Sequence, residues 1–260
     1  MQGSILVSGT HQGLGHFLCK RFQADGYTRQ TTKSEYTDSL NSDYQLVIHC
    51  AFNSRPPDGP KKIDAYLQEN LDLTKRLMQV PHQRFVFISS VDVYPKDGQR
   101  HDESSNLIPD NCESPYGVSK LMCEKLVTEN ATQPLILRCS SLLGAGMRAN
   151  SLVRIVEESP CSLTLSSEST FNYVLYETVS DFIKLAQNSD LSGIYNLVSN
   201  TSVTLEEIRT FLNRKNIQFG EYLYDVGNVS SSKASKIEPS LERSSLKTIE
   251  EFLKTRGDKL

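Results

Sequence analysis

In the first fifty residues, two short apolar runs flank a segment whose apolar residues fall on one helix face. Residues 4–8 form an apolar run, and Leu14, Leu18 and Phe22 then recur at the spacing of one helix face. A second, continuous apolar run covers residues 44–50. Strands that are apolar without alternation are typical of a parallel sheet covered on both faces. The pattern therefore predicts strands and helices in alternation around a buried sheet.

The turn between the first strand and the first helix is rich in glycine. Gly9, Gly13 and Gly15 stand at this turn, where glycine permits backbone angles closed to other residues and lets the main chain approach a pyrophosphate. The pyrophosphate would then lie against the positive end of the helix. Such turns also use glycine for geometry alone, but the position between a first strand and a first helix favours a nucleotide-binding turn. We expect a dinucleotide to bind at Gly9, Gly13, Leu14 and Gly15.

The alternation continues along the chain. Further strands are expected at 27–32, 84–90, 134–138, 170–174 and 193–198, and helices at 63–80, 114–130, 150–156, 203–213 and 245–255. Between the predicted strands 27–32 and 44–50, a further strand is expected to be absent or very short. We predict an α/β fold with a Rossmann-like doubly wound parallel sheet in residues 1–145, to which residues 175–200 return. A smaller α/β substrate-binding lobe is expected in residues 146–260, interleaved with the sheet domain, and residues 227–242 are expected to form a surface loop.

Composition narrows the class of partner. The net charge of −3 over 260 residues and the absence of a basic arm argue against nucleic acid or an anionic membrane. No apolar run is long enough for a bilayer, and the N-terminus lacks a signal-peptide pattern, so we expect a cytoplasmic protein. The six cysteines show no CxxC or zinc-like spacing, so we expect reduced thiols and no metal site.

Tyr116 and Lys120 lie one turn apart on the predicted 114–130 helix. Val118, Met122 and Leu126 form the predicted apolar stripe of that helix. A phenol ordinarily titrates near pH 10, and a nearby ammonium would favour the phenolate and lower the pKa. Tyr116 is therefore a candidate general acid or base. An isolated YxxxK pair is more often a solvated pair, so a catalytic role for Tyr116 depends on motifs elsewhere in the chain.

Three further positions lie where a ligand is expected, at or beyond carboxyl ends of strands. Ser90 ends the 84–90 strand and could hold a substrate oxygen or simply begin a loop. Ala51 follows the 44–50 strand. Lys33, with Arg29 nearby, lies at the tip of the second strand, where an acidic residue would bind a ribose diol and a basic one a 2′-phosphate. Lys33 could also be a solvated loop residue with Glu35 close behind it. The cofactor is expected to be NADP or NAD, with NADP slightly favoured.

Read in order, these motifs resemble the extended short-chain dehydrogenase/reductases, and within them the nucleotide-sugar epimerase/dehydratase group. The resemblance covers nearly the whole chain. It rests on the glycine turn, Ala51, Asn70 and the segments 88–94, 116–120, 137–144, 178–182, 193–197 and 203–208.

The resemblance implies roles for individual residues. Tyr116 would transfer a proton, Lys120 would lower its pKa and bind the nicotinamide ribose, and Ser90 would hydrogen-bond the reacting oxygen. Ser140 would contact the nicotinamide end, and Asn150 the sugar or diphosphate. The expected reaction is hydride transfer at the carbon of a nucleotide-activated sugar, by an oxidoreductase, epimerase or dehydratase that forms a homodimer.

The chain also departs from the group. Its glycine spacing is that of single-domain relatives, and the arginine that relatives place before the 170–174 strand is missing, so Arg148 or Arg154 could replace it, or the ligand could lack a diphosphate. Asp92 stands where relatives carry a second acid or base, yet it could equally cap the following turn. Two alternatives stay open: an NADPH-dependent carbonyl reductase of a small non-sugar ketone, and a non-catalytic dinucleotide-sensing protein.

Overall fold

The computed structural model describes residues 4–28, 30–59 and 62–257. Eight helices lie within this part of the chain: α1 Gly13–Phe22, α2 Lys33–Leu40, α3 Ile63–Met78, α4 Pro115–Asn130, α5 Ser151–Glu157, α6 Tyr176–Asn188, α7 Leu205–Phe211 and α8 Ser245–Arg256. The strands of this part are β1 Ile5–Ser8, β2 Asp25–Tyr27, β3 Tyr44–His49, β4 His82–Ser90, β5 Arg100–His101, β6 Pro134–Cys139, β7 Ser141–Leu143, β8 Cys161–Ser162, β9 Thr170–Phe171, β10 Tyr173–Leu175, β11 Gly193–Leu197, β12 Val203–Thr204, β13 Ile217–Gln218 and β14 Asn228–Val229.

Six strands form the central sheet in the order β11-β6-β4-β3-β1-β2. Every neighbouring pair in this sheet is parallel. From β1 the chain first adds β2 on one side and then β3 on the other, so the direction of winding reverses at β1 and β3. In open parallel sheets, ligands bind beyond the carboxyl ends of the strands at this point of reversal. Gly9 and Ala51 are located there.

Helices cover both faces of the sheet, as the continuous apolar strands predicted. Because side chains alternate along a strand, Leu46 and Ile48 of β3 pack on the face that carries α1 and α6, whereas Val47 packs on the face that carries α3 and α4. Phe85 and Phe87 of β4 contribute to the same face as Val47. The prediction of a doubly wound Rossmann-like fold is confirmed.

Residues beyond β7 build a second, smaller core. Its buried side chains come mainly from α5, β10, α7 and α8. α6 and β11, in contrast, pack in the layers of the main sheet. The chain therefore passes from the sheet into the smaller lobe and back, and then returns to the lobe for its last helices.

A buried ion pair connects several of these segments. Arg138 of β6 donates to both oxygens of Glu124 on α4, with its Nη2 at 2.7 Å from Oε2. Its Nη1 donates to the Tyr94 hydroxyl over 2.7 Å, which donates to Asn196 Oδ1 over 2.9 Å. Asn196 Nδ2 in turn donates to the Ser230 carbonyl. Buried charges require such pairing.

Three expectations about local structure were wrong. The second strand ends at Tyr27, and residues 33–40 form α2, because Thr32 and Glu35 make a reciprocal capping box. Residues 227–242 are not a surface loop, since Ser231, Ala234 and Leu241 are buried in them.

The third wrong expectation concerns the face of α4 that packs on the sheet. The predicted stripe of Val118, Met122 and Leu126 is half-buried, whereas Lys120 and Glu124 are buried. The two charged side chains face inwards because each has hydrogen-bonding partners on the sheet.

Within residues 4–28, 30–59 and 62–257, none of the helices combines the length and apolar character needed to cross a bilayer.

Candidate active site

The glycine turn brings β1, α1 and the end of β3 into close contact. Gly9 has φ +76°, and a Cβ there would lie 2.9 Å from the Ala51 nitrogen. A Cβ on Gly15 would lie 2.4 Å from the Gly9 carbonyl oxygen, so α1 can start this close to β1 only because both residues lack side chains. Gln12 precedes α1 without a side-chain cap, and the first turn carries no acidic residue. Close-packed backbone and a helix start without a side-chain cap or an acidic residue are compatible with the diphosphate of a dinucleotide.

A network of hydrogen bonds below this turn fixes the end of β3. Ser8 Oγ accepts the N–H groups of Cys50 and Ala51, at 3.1 and 3.0 Å. Both lone pairs of Ser8 Oγ are thereby used, and the Ser8 hydroxyl donates its proton to His49 Nδ1 at 3.0 Å. The proton of the His49 ring is then on Nε2, which donates to Thr74 Oγ1. Burial lowers the pKa of His49 to about 3. His49 is therefore a neutral structural group at pH 7.

Tyr176 of α6 reaches the same turn from the opposite side. Its ring occupies the space that a side chain on Gly144 would need, since a Cβ there would lie 2.0 Å from the ring. Burial raises the pKa of its hydroxyl to about 12, and the Leu14 amide acts in the opposite direction. The Gly13 amide donates to the Gly146 carbonyl over 3.2 Å. Tyr176 was not predicted as a site residue, although Gly144 hints at a large neighbour.

Ser90, Asp92 and Tyr116 converge at the carboxyl end of β4. The Ser90 hydroxyl donates to Asp92 Oδ2 over 3.1 Å and accepts the Asp92 amide over 3.2 Å. Ser90 and Asp92 both lie near enough to Tyr116 to act on the pKa of its hydroxyl, which Asp92 raises and Ser90 lowers. Gly117 permits this arrangement, because a Cβ there would lie 2.2 Å from the Asp92 carbonyl oxygen. Ser114 caps the helix that carries Tyr116 by accepting the Gly117 amide.

The nearest partners of the Lys120 ammonium are groups other than Tyr116. Its Nζ donates to the Ile88 carbonyl over 2.7 Å and lies 3.6 Å from the centre of the Phe52 ring, but 5.8 Å from that of Tyr116. Burial lowers the pKa of Lys120 to about 8. The pKa of Tyr116 is raised, first by burial and then by the charge of Asp92. The expectation that Lys120 lowers the pKa of Tyr116 stays a prediction, and in this structure burial and Asp92 act on that pKa in the opposite direction.

Two side chains around Asp92 were missed by the sequence analysis. The Tyr224 hydroxyl donates to Asp92 Oδ1 over 3.3 Å, and Lys96 Nζ lies 3.8 Å from the same oxygen. Lys96 is also fixed by donating to the Val226 carbonyl over 2.7 Å. The Asp92 carboxylate accepts from the Ser90 and Tyr224 hydroxyls, and the short 3-10 helix Val91–Val93 that contains Asp92 is capped by the Ser90 hydroxyl. No local signal identifies Tyr224, which is far from Asp92 in the sequence.

The other predicted site residues have hydrogen-bonding partners of their own or are exposed. The Ser140 hydroxyl donates to Asn172 Oδ1 over 3.0 Å, and Asn150 Oδ1 caps α5 by accepting the Val153 amide over 3.1 Å. Lys33 is exposed in the first turn of α2. Arg29, the other basic residue near that tip, lies outside the described residues.

The two arginines considered for a diphosphate differ in their surroundings. Arg154 pairs with Glu158 and donates to the Ser162 carbonyl. Arg148 Nη1 approaches Ser54 Oγ, on the loop after β3, at 3.4 Å. Of the two, only Arg148 contacts a loop at the carboxyl edge of the sheet.

A family model matches residues 5–159, which contain the glycine turn, Ser90 and the Tyr116–Lys120 pair; its description is "NAD dependent epimerase/dehydratase family". The chain belongs to this family. The match includes β1 to β7 and α5, and it ends near the start of the smaller lobe. No curated protein sequence matches this family member.

Solved structures extend the likeness over the whole fold. The first is MoeE5 in complex with UDP-glucose and NAD, at 19% identity and a TM-score of 0.79, covering 98% of this chain and 100% of MoeE5. dTDP-4-dehydrorhamnose reductase from Bacillus anthracis in complex with NADP has 18% identity, a TM-score of 0.79 and the same two coverages. TunA, an NAD-dependent NDP-hexosamine 5,6-dehydratase, has 17% identity and a TM-score of 0.76, and covers 98% of both chains. At these identities, the likeness shows that this family member shares their fold.

Proposed function

We propose that this protein is an NAD(P)-dependent enzyme that exchanges a hydride at a carbon of a nucleotide-activated sugar, with Tyr116 as the proton-transfer group. The observation that carries the proposal is the convergence of Ser90, Asp92 and Tyr116 at the carboxyl edge of the same sheet as the glycine turn. Membership of the epimerase/dehydratase family supports it. Similar folds bind UDP-glucose with NAD, and NADP, in their solved complexes.

The residues present fit a dinucleotide along this edge. The backbone of Gly9, Gly13, Leu14 and Gly15 would surround the diphosphate, Ala51 would line the crevice, and Lys120 and Ser140 would contact the nicotinamide end. When bound, the nicotinamide accepts or supplies a hydride. Ser90 and Tyr116 would hold the reacting oxygen of the substrate, and Tyr116 would move its proton.

The experiment is a turnover assay on UDP-glucose, UDP-glucuronic acid and dTDP-sugars, each with NAD and NADPH. Products are identified by NMR, and net redox is followed by absorbance at the nicotinamide band. Tyr116→Phe should reduce kcat by about 10²-fold or more, because the positioned proton donor is lost. Tyr222→Phe is the matched control, since that side chain is 67% exposed. Nearly unchanged turnover in Tyr116→Phe would refute the assignment, whereas reduction of small ketones with no turnover of nucleotide sugars would favour a carbonyl reductase.

The preference for NADP is supported by the end of β2. The residues at the end of β2, Tyr27 and Thr28, are not acidic. The Glu35 carboxylate accepts hydrogen bonds from the backbone and the side chain of Thr32. Lys33 is an exposed cation next to that cap. We expect Lys33→Ala to weaken NADPH binding in a fluorescence titration and leave NADH binding unchanged, with exposed Lys215→Ala as the control. Equal weakening for both dinucleotides would contradict the preference.

A nucleotide-sugar diphosphate would be bound by Arg148, with Asn150 at the start of α5 beside it. The contact of Arg148 with Ser54 supports this, whereas Arg154 is already paired. Arg148→Ala should raise KM for a nucleotide sugar with little change in kcat, and Arg154→Ala should not. The reverse result would assign binding of the diphosphate to Arg154.

The proposed oligomer is a homodimer through α3 and α4. The half-buried stripe of Val118, Met122 and Leu126 supports it, because these apolar side chains lie outside the sheet-facing side of α4. Light scattering after gel filtration should give twice the 29.2 kDa of one chain. Met122→Glu should give the monomer mass, and a wild-type monomer would refute the proposal. The cytoplasmic location is likewise proposed, and fractionation of expressing cells would test it.

A further inference from the structure

The aromatic ring of Phe52 covers the ammonium group of Lys120. Lys120 Nζ lies 3.6 Å from the centre of the Phe52 ring and 4.8 Å from that of Phe87. The same nitrogen donates to the Ile88 carbonyl over 2.7 Å. Phe87 and Ile88 are buried in β4, whereas Phe52 is half-buried. Of these three neighbours, Phe52 is therefore the one on the surface side of the ammonium.

The Phe52 ring also closes the space towards Tyr116. The two ring centres are 5.8 Å apart at an interplanar angle of 87°, which is an edge-to-face contact. A hydrogen bond from an ammonium requires an oxygen at about 2.9 Å from the nitrogen. On the side of Phe52 this position overlaps the ring, whose centre lies only 3.6 Å from Lys120 Nζ. A ribose hydroxyl can thus reach Lys120 from this side only after the ring has moved.

The backbone on both sides of Phe52 is held in place. Ser8 Oγ accepts the amides of the two residues that precede Phe52. The residue that follows is held by Asn70, whose Oδ1 accepts the Asn53 amide over 2.9 Å and whose Nδ2 donates to the Asn53 carbonyl over 3.2 Å. Asn70 is itself only 1% exposed. A displacement of the ring therefore has to come from rotation about the side-chain bonds of Phe52, because the backbone is fixed before and after it.

We propose that Phe52 is the gate of the nicotinamide ribose site, and that its ring turns aside when a dinucleotide binds to Lys120. This inference rests on the proposed function, in which Lys120 contacts the nicotinamide end. Because the ring is attracted to the ammonium, the open arrangement is the minor one. The association constant that is measured equals that of the open arrangement multiplied by its population. Phe52 thus lowers the affinity for ligands that carry this ribose.

The test compares dinucleotide binding by the wild type and by Phe52→Ala. NADPH and NADH are titrated into each protein, and binding is followed by nicotinamide fluorescence. The attraction of a desolvated ammonium to a ring corresponds to about 5- to 30-fold in an equilibrium constant. The dissociation constant of the preferred dinucleotide should fall by a factor in this range in Phe52→Ala. Phe211→Ala on α7, where the residue is 39% exposed, is the matched control and should bind like the wild type.

Two further measurements locate the effect. ADP lacks the nicotinamide ribose, so its affinity in a calorimetric titration should be the same for the wild type and Phe52→Ala. Phe52→Leu keeps apolar bulk over Lys120 without an aromatic face, and it should give a smaller gain in dinucleotide affinity than Phe52→Ala. Melting temperatures of all variants show whether they are folded.

The Lys120 amine reports on its cover without any ligand. In protein labelled with ¹³C at the ε carbon of lysine, the Lys120 signal is the one that disappears in Lys120→Met. Its pKa, which burial lowers to about 8, should rise by at least about 1 in Phe52→Ala because water then reaches the ammonium. The Phe211→Ala control should leave it unchanged.

Several results would overturn the gate. Unchanged or weaker dinucleotide binding by folded Phe52→Ala would mean that the ring does not have to move. An equal gain for ADP would place the effect away from the ribose, and a Lys120 titration identical in the wild type and Phe52→Ala would mean that Phe52 is not the cover. If neither dinucleotide binds to the wild type or to Phe52→Ala, the proposed function is refuted and the gate with it; dinucleotide binding without the gain refutes the gate alone.

Discussion

Replacing Lys120 by methionine should make the folded protein more stable while abolishing its activity. Lys120 is 3% exposed, and burial lowers its pKa from 10.5 to about 8. A difference of about 2.5 in pKa corresponds to about 3 kcal/mol of unfavourable burial of the ammonium at neutral pH. The Ile88 carbonyl and the Phe52 ring favour the ammonium and reduce this cost, so about 3 kcal/mol is the upper limit of the gain.

The dependence on pH identifies the cause. The unfolded chain keeps the Lys120 proton up to about pH 10.5, whereas the folded chain releases it near pH 8. The unfolded state thus binds more protons between these values, and wild-type stability rises with pH through this window. From pH 7 to 9.5 this group contributes a rise of about 2 kcal/mol, which Lys120→Met lacks. The advantage of the variant should shrink by that amount.

Urea unfolding at pH 7 and pH 9.5 measures both effects. Lys125→Met is the matched control, because it lies on the same helix with a side chain that is 77% exposed. If Lys120→Met and Lys125→Met have equal unfolding free energies at both pH values, the reasoning about a costly buried ammonium is refuted. If the gain is present but independent of pH, packing of the methionine is its source.

Three other substitutions test the framework of the site. Gly15→Ala should abolish dinucleotide binding in a fluorescence titration and lower the melting temperature, because its Cβ would lie 2.4 Å from the Gly9 carbonyl oxygen. Glu124→Gln should cost about 3–5 kcal/mol in urea unfolding by leaving the Arg138 guanidinium buried without its counter-ion, and replacing both residues by leucine should recover much of that loss. Thr204→Ala should cost about 1 kcal/mol in the same assay through loss of the α7 cap. A change in dinucleotide affinity in Thr204→Ala would contradict the purely structural role of that cap.

The sequence was sufficient for features that depend on local pattern. The glycine turn, α4 with its Ser114–Pro115 start and the apolar strands all follow from spacing and propensity. α2 was missed because its sequence has no apolar stripe, although the capping pair Thr32 and Glu35 marks its start. Helices and strands could thus be predicted wherever the hydrophobic period or the capping residues were taken into account.

The chemistry of the site depends on contacts between distant segments, and there the sequence was insufficient. The state of Lys120 depends on the Phe52 ring and the Ile88 carbonyl, which come from other elements. Tyr224 reaches Asp92 from the smaller lobe. A one-dimensional pattern records neither burial nor distance between such groups, and these two quantities decide the pKa of each.

The position of β11 at the edge of the sheet affects how the chain can mature. β6 is complete by Cys139, yet its outer partner is residues 193–197. A nascent chain leaving the ribosome therefore exposes an unpaired apolar strand edge while the intervening residues of the smaller lobe are still being synthesised. Such edges promote association between chains. Chaperone demand during synthesis should accordingly peak before β11 emerges, and a fragment that stops at residue 159 should aggregate.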